Sequence, residues 1–234
     1  MEASDRSGTP SRPMPPAAAA TDVPPPIPTP ERVAEVPAIL PLALLESVRT
    51  HDRPEEVLED ENLTASLPRR FGLSDVIHTQ IRRYEEARRK GRPVPARELV
   101  DLIRLVIRRP DAEEILDEAG RDLVARYLDG LAGRRARFAR ILPGPLARAA
   151  LARRARLLSR RIAAGAEPLI LRAPVRVRLR NSITAEVDPG GVACRLYTSA
   201  FRALSERYLR AGATAEHNRC ATRGDDACEW TLHE

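Results

Sequence analysis

The sequence predicts an α+β fold in which a helical N-terminal half packs on a small antiparallel sheet. The first observation behind this prediction is that apolar residues recur with a helical period from about residue 73 to residue 165. The second is that the period changes to two after Gly165, where Val175, Val177 and Leu179 alternate with arginines. The third is the order of the elements that follow, strand–strand–helix–strand–strand, which is typical of helices on one side of an antiparallel sheet.

The N-terminal region is predicted to consist of a tail and a linker. Residues 1–35 are rich in Pro and Ala, and we expect them to be disordered because they cannot bury enough apolar surface to offset their ordering entropy. Their prolines favour polyproline II segments, a conformation that a protein partner could bind. Residues 36–66 are predicted as a semi-ordered linker with one short helix near 40–48, and residues 67–234 as the folded domain.

Four helices are predicted in the helical part of the domain. The first is capped by Ser74 and Asp75 and is stopped by the Gly- and Pro-containing segment 91–95. The second covers about 96–108, where apolar residues occupy one face. The third follows the capping residue Asp111, and the fourth covers about 145–164.

Four strands and one helix are predicted after residue 165. The alternating segment 175–179 is the first strand, 182–187 the second, and the residues between 188 and 191 form a turn. A helix follows over about 192–210, with Gly212 as its C-cap. The segments 214–220 and 228–233 are then predicted as two strands that flank a turn at 222–226.

Composition and charge argue against several classes of protein. Aromatic residues make up only 3% of the chain, so no direct nucleic-acid binding by base stacking is expected. No apolar run approaches the length of a membrane span, and the first residues do not have the pattern of a secretory signal. Three cysteines do not make a disulfide framework, so a reduced, cytoplasmic location is predicted.

The positive charge is concentrated in one segment. The net charge is +6, yet ten arginines fall between Arg134 and Arg161, and no acidic residue occurs between Asp129 and Glu167. This segment is either a solvated basic face or a docking site for an anionic lipid, a phosphate or a carboxylated ligand.

The three cysteines and one histidine form a candidate metal site. Cys194 opens the long helix, Cys220 ends one strand and Cys228 begins the next. His217 lies three residues before Cys220, an offset that places the two side chains on opposite faces of an ideal strand, so both can bind one ion only if the strand has a bulge. Glu216 is the alternative ligand.

Three thiolates and one imidazole suit Zn(II), which prefers a tetrahedron of sulfur and nitrogen donors. Four protein ligands would close the site, so the zinc would be structural. The other interpretation is that the cysteines are three small buried hydrophobic residues, since free cysteine is among the most buried residue types.

The residues from Gly191 to Tyr197, with Phe201, and from His217 to Trp230 resemble the 4-vinyl reductase domain family. The tail motif of that family reads roughly E-x-x-C-x-x-x-G-x-x-x-C-x-[FW], and here it runs from His217 to Trp230. In sensor domains of the family a zinc is held by a helix cysteine, an acidic residue and two tail cysteines. The resemblance implies the ligands Cys194, His217, Cys220 and Cys228, with His217 where the family has Glu.

The layout of residues 65–234 is also similar to that of BchJ-type proteins of bacteriochlorophyll biosynthesis, although the specific motif covers only 175–234. The resemblance implies a fold like that of TRAPP-complex subunits, often dimeric, with a hydrophobic pocket between the helices and the sheet. It further implies a hydrophobic, planar ligand such as a tetrapyrrole, for which Tyr197, Phe201 and Tyr208 are candidate lining residues.

Three functions are compatible with the sequence: a ligand-binding module, a reductase of the 8-vinyl (4-vinyl) group, and a regulatory or scaffold subunit that acts through a protein partner. A reductase needs an electron source, and the sequence shows no dinucleotide-binding glycine motif, P-loop or iron–sulfur cysteine run. No catalytic residue is therefore predicted, and binding is favoured over catalysis.

Overall fold

The computed structural model describes residues 34–52, 63–128, 142–162, 167–172 and 174–233. Side chains are described throughout these ranges except at 63–75, 167, 168, 171 and 172. The predicted tail thus lies almost entirely outside the described residues. In the described part of the chain the helices are α1 (Ile39–His51), α2 (Leu63–Arg89), α3 (Ala96–Val106), α4 (Ala112–Tyr127), α5 (Gly144–Ile162), α6 (Ile183–Val187) and α7 (Arg195–Tyr208).

The strands form two antiparallel sheets. They are β1 (Glu35–Pro37), β2 (Pro93–Pro95), β3 (Glu167–Arg172), β4 (Val175–Arg180), β5 (Thr214–Arg219) and β6 (Cys228–His233). The short strands β1 and β2 pair with each other, and the other four form a sheet in the order β3–β4–β6–β5. The predicted α+β class, with a helical N-terminal half and a small antiparallel sheet, is confirmed.

The helices agree with their predicted positions except at the first one. The amphipathic helix α3 buries Leu99, Val100 and Ile103, and α4 and α5 lie where the third and fourth helices were expected. The first predicted helix begins earlier than expected, because Ser74 and Asp75 lie inside α2 rather than at its start.

Helix α1 is a core element, which differs from the expectation that the folded part begins near residue 67. Eight of its residues, including Leu40, Leu42 and Leu44, are buried. Polar contacts fix the helix on α4, because Ser47 Oγ donates to Ile115 O at 2.7 Å and His51 Nε2 lies 3.0 Å from Glu118 Oε2. The predicted linker therefore includes a helix that is packed in the interior.

The second strand of the C-terminal half was predicted at the wrong place. Residues 183–187 are helical, because Asn181 adopts a positive φ of 54° that turns the chain out of β4. The amides of Ala185 and Glu186 then both donate to Ser182 O, which starts α6. The strand that pairs with β4 on its outer side is β3, which precedes β4 in the chain.

The long helix α7 lies between α4 and the sheet. Gly120 of α4 permits this packing, because a Cβ built there would lie 2.5 Å from Leu196 O and 2.8 Å from Ala200 N. Strand β4 faces the interior with Val175, Val177 and Leu179, as its alternation predicts. The N-terminal end of α7 thereby lies beside the β5–β6 hairpin, where the three cysteines meet.

Candidate metal centre

Three separate elements bring the cysteines and His217 into one cluster. Cys194 precedes α7, Cys220 follows β5 and Cys228 begins β6. One potential ligand atom from each of the three cysteines and from His217 lies within 4.8 Å of every other. The cysteines are free and buried, and His217 is half-buried. This Cys3His group could hold one metal ion.

The cluster is compact around Cys228. Its Sγ lies 3.9 Å from Cys194 Sγ and 3.9 Å from Cys220 Sγ. Hydroxyl groups contact the other two sulfurs, with Thr184 Oγ1 3.6 Å from Cys194 Sγ and Thr222 Oγ1 3.0 Å from Cys220 Sγ. The sulfurs are therefore close enough to share one ion, yet they are not bonded to one another.

A β-bulge brings His217 and Cys220 to the same face of the hairpin. His217 pairs with Trp230 and Arg219 pairs with Glu229, so β5 contains one extra residue, Asn218, at this point. The extra residue shifts the alternation of side chains by one position. The bulge that the sequence required for a shared ion is confirmed.

The neighbouring Glu216 lies elsewhere. Its Oε2 is 3.3 Å from His233 Nε2, and its side chain is 62% exposed. Because Glu216 precedes the bulge by two residues and is adjacent to His217, its side chain points to the opposite face of the strand. Of the two candidates for the fourth ligand, the structure thus brings His217 and not Glu216 to the cysteines.

Stacking on Trp230 fixes the ring of His217. The two ring centroids are 4.6 Å apart and the planes differ by 9°. Trp230 is itself held by its indole N–H, which donates to Thr198 Oγ1 at 2.8 Å. His217 Nε2 is buried and has no hydrogen-bond partner among the described residues. A buried nitrogen of this kind is costly unless it gains a partner, and a metal ion would supply one.

Two aspartates hold the loops that carry Cys194 and Cys220. Asp188 accepts hydrogen bonds from the amides of Gly190, at 2.9 Å, and Ala193, at 2.7 Å. Asp225 accepts one from the amide of Cys220 at 2.8 Å. Neither was predicted from the sequence as a positioning residue, although both lie in predicted turns and Asp188 stands two residues before a Gly, which is a known turn signal.

The two loops meet at Gly191. Its φ is +79°, and a Cβ built there would lie 2.8 Å from Thr222 Oγ1 and 3.7 Å from Cys220 Sγ. Any side chain at this position would push the Cys220 loop away from Cys194. Gly191 is therefore needed for the cluster to close.

The sulfurs of Cys194 and Cys228 are within hydrogen-bond distance of each other, at 3.9 Å. The hydrogen bond between them lowers the pKa of Cys228 and raises that of Cys194, whose pKa burial raises further. The cluster therefore already favours one thiolate. Thiolate is the form in which cysteine binds a metal.

The residues predicted to line a ligand pocket are packed in the interior. Tyr197, Phe201 and Tyr208 are at most 2% exposed. The rings of Tyr197 and Phe201 contact Trp230, with centroids 6.0 Å and 5.3 Å away. These two residues thus support the tryptophan on which His217 stacks, and their role in binding a ligand stays a prediction.

A cleft of about 400 Å³ opens beside the cluster, and His217 forms part of its wall. Arg195 on its wall pairs with Glu113 at 2.8 Å and with Asp117 at 3.0 Å. Arg202 also lines it, so residues of both charge signs lie on its wall. None of the three predicted aromatic residues belongs to its lining.

Comparison with protein-family models, with curated proteins and with solved structures found no match. Among the helices of the described residues, none combines the length and the apolar character needed to cross a bilayer. The resemblance to the 4-vinyl reductase domain therefore stays a prediction from the sequence.

Proposed function

We propose that this protein is a zinc-stabilised binding module of the 4-vinyl reductase domain type, and that its ligand is a hydrophobic small molecule of the tetrapyrrole class. The convergence of Cys194, His217, Cys220 and Cys228 on one point carries the zinc part of the proposal. The ligand part rests on the resemblance of the motif that ends at Trp230. The same resemblance favours a homodimer, and the small number of cysteines favours a cytoplasmic location.

The donor set and its spacing support zinc over other metals. Three sulfurs and one imidazole nitrogen are the ligands of structural zinc sites. A tetrahedral zinc ion with Zn–S bonds of about 2.3 Å separates its sulfur ligands by about 3.8 Å. The observed separations of Cys228 Sγ from the other two sulfurs, both 3.9 Å, agree with this value.

Zinc at this site would act through folding. Four protein ligands leave no open position at which a substrate could bind the metal. When bound, the ion would tie the β5–β6 hairpin to the start of α7 and add its binding free energy to that of folding. This closed donor set supports a binding role over reduction of a vinyl group.

The ligand part of the proposal has a definite structural requirement. Tyr197 and Phe201 contact Trp230 and are fully buried, so a planar ring could lie among them only if they moved apart. The cleft beside His217 is a different site, because charged residues of α4 and α7 line it and none of the three predicted aromatic residues does. A bound tetrapyrrole is therefore expected to perturb the environment of Trp230, the only tryptophan in the chain.

Native mass spectrometry of the freshly purified full chain tests both parts. We expect one zinc ion per chain, a small molecule in part of the population and a dimer mass. Protein that has no bound metal after preparation without chelators would refute the zinc part. Turnover of a vinyl tetrapyrrole with NADPH or reduced ferredoxin would replace the binding role by that of a reductase.

Variants at adjacent positions test the ligand set. We expect Cys220→Ser and His217→Gln to lower the zinc content and the melting temperature, because each removes one donor. Glu216→Gln is the matched control, and it should retain zinc. Cobalt(II) in place of zinc adds an optical readout, since thiolate-to-cobalt absorption should weaken in Cys220→Ser. A zinc site that is lost in Glu216→Gln but kept in His217→Gln would contradict the assignment.

A further inference from the structure

The arginine-rich segment has a strong local charge that the rest of the chain does not share. Its ten arginines carry more positive charge than the net charge of the whole chain, which is +6. Because the segment has no acidic residue, the remainder of the protein has a net negative charge. Helix α5 carries six of these arginines and no acidic residue. Six of these positive charges therefore lie on one helix that has no acidic residue to offset them.

One face of α5 packs on the protein and the other faces solvent. Its buried face consists mainly of Leu151, Ala155, Leu158 and Ile162, and the end of the helix is anchored by Tyr197, whose hydroxyl donates to Ile162 O at 3.2 Å. The exposed face carries the side chains of Arg153, Arg156, Arg160 and Arg161.

Leucines are interleaved with these arginines. Leu146 is 55% exposed, Leu157 is 40% exposed, and Leu142, just before the helix, is 43% exposed. Four of these residues follow one another at intervals of seven, four and three positions, so they lie along one side of the helix. They are Leu146, Arg153, Leu157 and Arg160. An exposed stripe that combines arginine and leucine is typical of a helix that lies in a membrane interface.

Carboxylates neutralise several arginines elsewhere in the described residues, but not those of this face. Arg109, Arg126, Arg195 and Arg219 each pair with at least one aspartate or glutamate. The ion pairs found among the described residues include none with Arg153, Arg156, Arg160 or Arg161. Their charge is therefore available to an external anion.

We propose that the exposed face of α5 binds the surface of a bilayer that contains anionic phospholipids. The guanidinium groups contact lipid phosphates, for which arginine has a matching planar set of donors. Leu142, Leu146 and Leu157 enter the boundary between headgroups and acyl chains. A nucleic acid offers the same phosphates, but it leaves these leucines in water, and the described part of α5 has no aromatic side chain for base stacking.

Flotation of the full-length protein with vesicles tests the proposal. Vesicles of equal parts phosphatidylcholine and phosphatidylglycerol should carry the protein to the top of the gradient, and vesicles of phosphatidylcholine alone should not. The triple variant Arg153→Gln, Arg156→Gln, Arg160→Gln should reduce partitioning by about tenfold or more, since each basic residue near an anionic surface contributes to binding.

A matched control variant loses the same number of positive charges at exposed positions outside α5. Arg82, Arg97 and Arg108 are exposed on α2, α3 and the segment after α3, and their replacement by Gln should leave binding within about twofold. The double variant Leu146→Ser, Leu157→Ser should weaken the binding that persists at high salt, which tests the apolar contribution independently of charge. Circular dichroism checks that each variant is folded.

Three outcomes would overturn the proposal. These are absence of binding to the anionic vesicles, equal losses in the α5 and control variants, and tighter binding of a single-stranded RNA that the α5 arginines also govern. None of these outcomes depends on zinc or on a bound tetrapyrrole, so this proposal can fail or hold separately from the proposed function.

Discussion

At the scale of single residues, the candidate metal centre depends on the position of His217. Its ring reaches the cysteines because Asn218 is inserted in β5 and because Trp230 stacks against the imidazole. Asp188, Gly191 and Asp225 hold the surrounding loops without taking part as ligands. These five positioning residues outnumber the four candidate ligands, and such supporting contacts are common around metal sites.

A second polar cluster at the residue scale lies between α2 and α3. Glu98 accepts hydrogen bonds from Arg83 and, at 2.8 Å, from Tyr84 Oη. Burial raises the pKa of Glu98, but the hydrogen bonds from Arg83 and Tyr84 outweigh it, so the net shift is downward. Burial and the bond to Glu98 raise the pKa of Tyr84 to about 12, so the phenol keeps its proton.

These shifts predict a pH-dependent contribution to stability. Because the folded pKa of Glu98 is lower than its unfolded value, its carboxylate stabilises the fold at neutral pH, and the effect is lost as the pH falls through the folded pKa. We expect Glu98→Gln to cost about 1 kcal/mol of unfolding free energy at neutral pH, since Arg83 is half exposed. The difference from the wild type should shrink below about pH 4.

Urea unfolding of both proteins across this pH range measures the effect. Glu86→Gln is the control, because Glu86 is 65% exposed and its carboxylate pairs with Lys90 on the same helix. A cost of Glu98→Gln that stayed constant down to acidic pH would contradict the role of the carboxylate.

At the scale of elements, the crossing of α4 and α7 connects the helical half to the metal centre. Gly120 lets the two backbones touch, and Ser199 Oγ donates to Asp117 O at 2.6 Å across the same contact. Because Cys194 immediately precedes α7, a displacement of this helix would also displace one metal ligand.

We predict that Gly120→Ala destabilises the protein although alanine is the better helix former. The new Cβ would lie 2.5 Å from Leu196 O and 2.7 Å from Ser199 Cβ, so α7 must shift. The expected net cost is about 2 kcal/mol, after a gain of about 1 kcal/mol from helix propensity. Chemical denaturation gives this cost, and the zinc content should fall with it.

Gly91→Ala is the comparison for Gly120→Ala. No atom lies within 4 Å of the Cβ that it adds, so its only cost is the positive φ of 63°. If both variants lost the same stability, close contact between α4 and α7 would not be the cause.

At the scale of the whole molecule, the hydrophobic core extends from α1 to β6. One buried cluster includes Leu42 and Leu44 of α1, Ile115 of α4, Phe201 of α7 and Trp230 of β6. The described helices and the four-stranded sheet therefore share one interior, in which α1 takes part despite its distance from the sheet in sequence.

We predict that Leu44→Ala destabilises the fold by about 2–5 kcal/mol, the usual cost of emptying a buried leucine site. Thermal and urea unfolding measure this loss. Leu105→Ala is the matched control, since Leu105 is 65% exposed and should cost less than about 0.5 kcal/mol. A negligible cost at Leu44 would mean that α1 is a dispensable attachment, as the predicted linker implied.

The sequence by itself determined the α+β class and the positions of α3, α4, α5, β4, β5 and β6. It also determined the three candidate cysteine ligands and the need for a bulge in β5 if His217 is the fourth. These features follow from local periods, turn residues and residue chemistry, which require only neighbours in the chain. It placed a strand at 182–187, because a positive φ at Asn181 is not encoded by alternation, and it missed β3 and the short pair of β1 and β2.

Three further features of the protein were decided only by its tertiary structure. It includes α1 in the core, directs His217 rather than Glu216 to the cysteines, and packs Tyr197 and Phe201 against Trp230. Each of these outcomes depends on contacts between residues far apart in sequence. A buried side chain can line a pocket or pack against a neighbouring residue. The choice depends on which element, distant in sequence, packs beside it, and the local sequence pattern does not contain that information.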